Sequence, residues 1–139
     1  MPADRAVPAD PSLRCPCLSG NPYVECCEPL HAGAAAPTAE RLMRSRYSAF
    51  AFGLGDHLLR TWHPRTRPDT LTLDDDDRRW TRLDILSTRS GGPFDTSGTV
   101  AFRAWWRTAD DRGVLEETSE FERVAGRWYY VDGDVAPTR

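Results

Sequence analysis

The sequence predicts an α+β fold in which a small cysteine-stapled knuckle precedes helices and then an antiparallel sheet. Three observations carry that expectation. All four cysteines of the 139-residue chain fall between positions 15 and 27. Apolar residues then recur at helical spacing from Met43 to Leu54, and from Trp80 onward the pattern changes to the alternation of half-buried strands. Helices first and strands afterwards make an α+β layered architecture, and the length suits one core rather than two.

The knuckle reads as Cys15-Pro16-Cys17, eight residues, then Cys26-Cys27. Ser19-Gly20 and Asn21-Pro22 are turn-forming pairs that can fold the second cysteine pair back onto the first. Four thiolates complete a closed tetrahedral site, the structural form of zinc coordination, with one Zn2+ per chain expected. Two disulfides would need an oxidising compartment, and nothing in the chain directs export. Free buried thiols would not need such clustering. His31, four residues after Cys27, is an alternative fourth ligand.

The first residues are Pro/Ala/Asp-rich without an apolar run, so 1–12 reads as a tail in a cytoplasmic protein rather than a signal or transit segment. No stretch approaches the eighteen apolar residues of a membrane helix. With 40% hydrophobic and 28% charged residues the composition is globular. The net charge of −3 argues against a protein built to coat nucleic acid. The chain contains no lysine, which excludes Schiff-base chemistry, pyridoxal attachment and a phosphate-loop lysine.

After the knuckle (13–34), Thr38 is placed to cap a helix, with Glu40 in its first turn. Met43, Tyr47, Phe50 and Leu54 form its apolar stripe, and Gly53 and Gly55 end it. A second short helix is expected over about Asp56–Trp62, stopping before Pro64, with His57 exposed. The run Asp74–Asp77 lacks the spaced oxygens and central glycine of a calcium loop. It reads as a solvated acidic helix start behind Thr72. Four strand candidates follow, separated by Ser90-Gly91-Gly92-Pro93, Asp110–Gly113 and Ala125-Gly126, and a meander is their simplest connection. Val100, Phe102, Ala104 and Trp106 share one strand face; Leu115, Glu117, Ser119 and Phe121 share another.

Glu117 and Ser119 interrupt an apolar face, so an inward Glu117 calls for a cation. Arg46 is the first choice and Arg44 the second. Such a pair would pin helix to sheet. The functional reading makes Arg46, Tyr47, Trp62, His63, Glu117, Ser119 and Tyr130 the lining of a ligand pocket, with His63 and Glu117 or Asp132 available for proton transfer. His63, at a helix end, equally suits a capping role. The aromatic residues read as core rather than a base-stacking platform. Between positions 41 and 67 six arginines face one acid, Asp56. Arg60, Arg65 and Arg67 are the candidates for an anionic partner such as RNA, unless they pair with carboxylates of the fold.

The cysteine segment resembles the C-x-C-x-S-G…C-[CH] zinc motif at the C-terminus of the SecA translocation ATPase, whose fourth ligand would correspond to Cys27. The blocks Pro37-Thr38, Leu42–Phe50, Thr61–Pro64, Glu117–Phe121 and Trp128–Gly133 make the chain similar to the YchJ family of bacterial proteins. The resemblance implies a zinc knuckle followed, over 37–135, by a cone-shaped domain like nuclear transport factor two, with N-terminal helices packed on a curved antiparallel sheet. It implies no established activity. The expectation is a monomeric or homodimeric binding or adaptor module, its knuckle docking an unknown protein partner and its cone holding a small ligand. The alternatives are a hydrolase or isomerase using His63 with Glu117 or Asp132, and a nucleic-acid or ribosome binder using the arginines from 60 to 67.

Overall fold

In the computed structural model, residues 13–71 and 78–135 are described; the expected tail of 1–12 and the Thr72-capped Asp74–Asp77 run lie outside the described residues. In chain order come a 3-10 turn (Tyr23–Glu25), α1 (Glu28–His31), α2 (Ala39–Phe52), α3 (Gly55–Arg60), β1 (Arg79–Ser90), β2 (Ser97–Arg107), β3 (Arg112–Val124) and β4 (Arg127–Val135). Thr38 caps α2 as expected, its Oγ1 accepting from the Arg41 N–H at 3.1 Å. Gly53 ends the helix with φ 73°, a left-handed conformation that favours glycine.

Helix α3 is shorter than its expected span. Thr61 Oγ1 donates to the His57 carbonyl at 2.7 Å, and Trp62 leaves the helix to form a parallel bridge with Tyr130. The Tyr130 N–H donates to Thr61 O at 2.8 Å, and the His63 N–H donates to Tyr130 O at 2.7 Å. The open edge of β4 captures this segment because an unpaired strand edge offers free donors and acceptors. His57, expected at the surface, is buried at 3% exposure because α3 lies with that side against α2.

The four strands form one antiparallel sheet in the order β1-β2-β3-β4, the expected meander. Val100, Phe102 and Ala104 lie opposite Ser119, Glu117 and Leu115, so the two interrupted and uninterrupted faces meet on one side. Register shifts in β1, and in β4 opposite Glu120 and Phe121, mark bulges that increase local bend and twist and so curve the sheet.

Helix α2 is buried on two sides. At 100° per residue, Arg41, Arg44, Ser45, Ser48 and Phe52 share one face, while Met43, Arg46, Tyr47 and Phe50 lie opposite. The first face meets the knuckle and the second meets the sheet. One continuous core runs from the cysteines and Tyr23 through Leu42 and Met43 to Phe102 and Phe121. Each such large apolar side chain stabilises the fold by about 1.5–3 kcal/mol. Among the described residues no helix is long and apolar enough to cross a membrane.

Candidate metal centre and ligand cavity

Local turns bring the four sulfurs together. The Cys15 N–H donates to Asn21 O at 3.0 Å and the Leu18 N–H to Cys15 O at 3.1 Å, folding the first pair back. The 3-10 turn then delivers Cys26 and Cys27. All four Sγ atoms lie within 4.8 Å of one another and all four residues are buried. The Cys17–Cys26 and Cys26–Cys27 separations are 3.5 and 3.9 Å. A tetrahedral zinc with bonds of about 2.3 Å spaces its sulfurs by about 3.8 Å, so the set fits such an ion.

The surroundings suit thiolates. Ser48 Oγ donates to Cys27 Sγ at 3.4 Å and sits equally far from Cys15 Sγ; Ser19 Oγ lies 3.1 Å from Cys26 Sγ. Arg44 Nη1 donates to Cys17 O at 2.8 Å and Arg41 Nη2 to Cys26 O at 2.9 Å. Contacts from Cys15 and Cys27 hold the Cys17 thiol well below the usual range. The same sharing pushes Cys15, through Cys17, up to about 11, and raises Cys27. Four adjacent buried thiols cannot all ionise without a cation, so loading a metal must release protons.

His31 is not part of this set. Its Nδ1 lies 2.6 Å from the Tyr23 hydroxyl and its Nε2 2.8 Å from Ser45 O. A carbonyl only accepts, so Nε2 carries the proton and Tyr23 donates to Nδ1. Cys27, not His31, supplies the fourth sulfur. Ser45 Oγ donates to Leu42 O at 2.7 Å and therefore accepts from His57 Nε2 at 3.0 Å; His57 Nδ1 accepts from Arg60 Nη2 at 3.2 Å. This chain of bonds ties knuckle, α2 and α3 together.

On the opposite side of α2 lies a cavity of about 190 Å³. Phe102, Ala104, Leu115 and Phe121 line it from the sheet, and Met43, Tyr47 and Phe50 from the helix. Six of the seven residues singled out from sequence meet there: Arg46, Tyr47, Trp62, Glu117, Ser119 and Tyr130. The Glu117 carboxylate accepts from Ser119 Oγ at 2.6 Å. A side chain at Gly133 would collide with that carboxylate and crowd the Tyr130 hydroxyl. Burial, and next the Glu117 charge, push the Tyr130 phenol up to about 12.

The expected Arg46–Glu117 ion pair does not form. Arg46 Nη1 donates instead to Leu58 O at 2.8 Å and Thr61 Oγ1 at 2.7 Å. Its guanidinium stands over the Tyr130 ring at 4.4 Å and the Trp62 ring at 5.1 Å. Because α3 and the Trp62 bridge close over α2, the nearer partners are carbonyls and rings. Arg44, the second choice, pairs with Glu40 at 3.0 Å on the knuckle side of α2.

His63 stays out of the cavity. It follows Trp62 in the bridged segment, so its side chain takes the other face, where Nε2 lies 3.3 Å from Glu122 Oε1. Its Nδ1 accepts from the Arg65 N–H at 3.0 Å, a local cap. Asp132 also turns outward. The register passes from Phe121↔Tyr130 to Glu120↔Asp132, so a bulge at Val131 reverses the alternation after Tyr130. Asp132 is exposed and Gly133 takes the inward place beside Glu117. Arg60, Arg65 and Arg67 donate respectively to His31 O, Glu122 and Trp62 O. Sequence reasoning missed Arg78 and Trp80 in the cavity wall, the close approach of Gly133 to Glu117 and the sulfur contact of Ser48. Gly133 carried a signal, as the last residue of the Trp128–Gly133 block.

A family model described as the YchJ middle NTF2-like domain matches residues 38–133. The chain belongs to the YchJ family. Among relatives of this YchJ-family chain, a UPF0225 protein of Corynebacterium efficiens is 55% identical over 131 residues, covering 94% of the chain and 99% of the relative. One of Streptomyces coelicolor is 55% identical over 125 residues, covering 89% and 97%. The solution structure of a SEC-C motif containing protein from Rhodopseudomonas palustris superposes with a TM-score of 0.77 at 33% identity, covering 88% of this chain and 98% of that one. The crystal structure of a SEC-C motif containing protein from Psychrobacter arcticus gives 0.72 at 27% identity, covering 93% and 86%. The cysteine cluster thus sits in a YchJ-family chain whose structural neighbours carry the SEC-C motif.

Proposed function

We propose that the chain is a binding module in which one zinc ion, held by Cys15, Cys17, Cys26 and Cys27, staples the knuckle to α2, and the cavity beneath α2 receives a small, largely apolar ligand. The observation that carries this reading is the cavity: about 190 Å³, walled mainly by apolar side chains, with Arg46, Arg78, Glu117, Ser119 and Tyr130 among its few polar groups. An apolar cavity near 150 Å³ holds benzene, so a ring-sized molecule fits. Four sulfur ligands leave no open position for a substrate, which gives the zinc a structural role. A protein partner would dock on the outward side of the knuckle, where Leu13 and Leu18 remain exposed. A His63-based hydrolase or isomerase is less well supported, since His63 pairs with Glu122 outside the cavity. Nucleic-acid binding through Arg60, Arg65 and Arg67 is likewise weakened by their bonds within the fold.

Metal analysis of protein purified under reducing, metal-replete conditions should find about one zinc per chain, removed by a chelator. Toluene and benzyl alcohol should raise the melting temperature and change the tryptophan fluorescence. Absence of zinc would sink the metal half of the reading. Indifference to both compounds would sink the pocket half.

A further inference from the structure

We infer that the cavity's ligand is a small carboxylic acid carrying a hydrogen-bond donor beside its apolar body, its carboxylate held by Arg46 and its donor by Glu117. The inference rests on the pocket reading above and narrows it. Arg46 is only 6% exposed and lines the cavity. Nη1 is the nitrogen it commits within the protein, to Leu58 O and Thr61 Oγ1. Among the described residues, Nε and Nη2 have no acceptor and no carboxylate lies within ion-pair distance of the guanidinium. A cation held in the interior by two neutral acceptors and two ring faces still lacks a counter-charge, and the N–H groups of Nε and Nη2 are left for a partner in the cavity. Nε and Nη2 form the side-on fork of a guanidinium, which matches the two oxygens of a carboxylate.

Glu117 has the complementary need. Ser119 donates to it and the Tyr130 hydroxyl stands beside it, while Arg46 lies beyond ion-pair distance. The Tyr130 ring lies under the guanidinium, and the hydroxyl of that same ring adjoins the carboxylate. Arg46 and Glu117 therefore share one mostly apolar chamber without touching; Arg78, which also lines it, stacks on Trp80 and Trp106 at 5.0 and 5.6 Å. A molecule presenting an acceptor pair to Arg46 and an O–H or N–H donor to Glu117 satisfies both. Phe102, Phe121 and Met43 supply the apolar contact for the rest of it.

Calorimetric titration of the zinc-loaded protein with mandelate, phenylacetate and benzyl alcohol tests this. Mandelate has the ring, the carboxylate and the hydroxyl; phenylacetate lacks the hydroxyl; benzyl alcohol lacks the carboxylate. The expected order is mandelate, then phenylacetate, then benzyl alcohol, with mandelate at least about tenfold tighter than benzyl alcohol. Glu117→Gln should weaken mandelate towards phenylacetate and keep the preference for acids. Arg46→Lys should reduce that preference about tenfold, because an ammonium lacks the fork. If benzyl alcohol binds as tightly as both acids, the acid inference fails while the pocket stands. If mandelate is no tighter than phenylacetate, the assignment of Glu117 fails. If none of the three binds, both readings fail.

Discussion

The sulfur cluster and the cavity lie on opposite faces of one helix, and they are built in opposite ways. The cluster draws its four ligands from thirteen consecutive residues, and local turns alone set their spacing. The cavity draws Arg46 from α2, Trp62 from a bridged loop, Glu117 from β3 and Tyr130 from β4, so its shape depends on pairings far apart in sequence. The four sulfurs of the cluster would be satisfied by a single metal ion. The cavity leaves a cation and a carboxylate apart in an apolar chamber. A closed four-sulfur site would stabilise without discriminating among ligands, whereas the proposed pocket would do its work by selecting one.

Removing the metal exerts the largest leverage on that contrast. Structural zinc in small knuckle-like peptides contributes about 10–16 kcal/mol of apparent binding energy, which is folding energy where no core exists without it. Cys26→Ser, or chelation, should therefore abolish zinc binding and expose residues 13–34 to hydrogen exchange. Amides of β2 and β3 should stay protected, because their ladder involves no cysteine. Loss of protection throughout the sheet would show that the two faces of α2 form a single cooperative unit.

A smaller perturbation acts on the cavity alone. Gly133→Val places a side chain where the Glu117 carboxylate and Tyr130 hydroxyl lie. Overpacking of this kind costs about 1–3 kcal/mol. The urea midpoint should fall accordingly and binding of ring-sized compounds should weaken, while zinc stoichiometry stays at one. A variant that keeps both stability and ligand binding would remove Gly133 from the site.

The difference in construction also explains what the residues disclosed in advance. The C-x-C…C-C spacing, the Thr38 cap, the Gly53 stop and the three turn clusters are local signals, and the structure follows each of them. Strict alternation along β3 placed Leu115, Glu117, Ser119 and Phe121 on the cavity face correctly. Alternation failed on β4, where the Val131 bulge sends Asp132 outward and brings Gly133 in. A bulge depends on how two strands pair, which one strand's pattern does not reveal. Arg46 was legible as internal, but not its partners, since those depend on where α3 and Trp62 come to rest. His57 was misread for a related reason: its burial arises from contact with Ser45, twelve residues earlier.

His57 supplies the gentlest test, at the seam between the two regions. Burial chiefly, then the charges of His31, Arg60 and Arg46, lower it to about 3. The geometry agrees: Nδ1 accepts from Arg60, so a proton there would face another N–H. His31, beside it with ring centroids 4.7 Å apart, is lowered by burial as well. An unfolded histidine titrates near 6.5. Below that pH the unfolded chain takes up a proton that the folded chain refuses, so this contribution is complete above about 6.5 and is lost progressively towards pH 3. Between pH 7 and pH 5 the loss from His57 should be about 1–2 kcal/mol, read from urea midpoints. His57→Gln should flatten that slope without changing zinc content. Acid protonation of the cysteines acts equally on both proteins, so identical slopes for the two would remove His57 as the source.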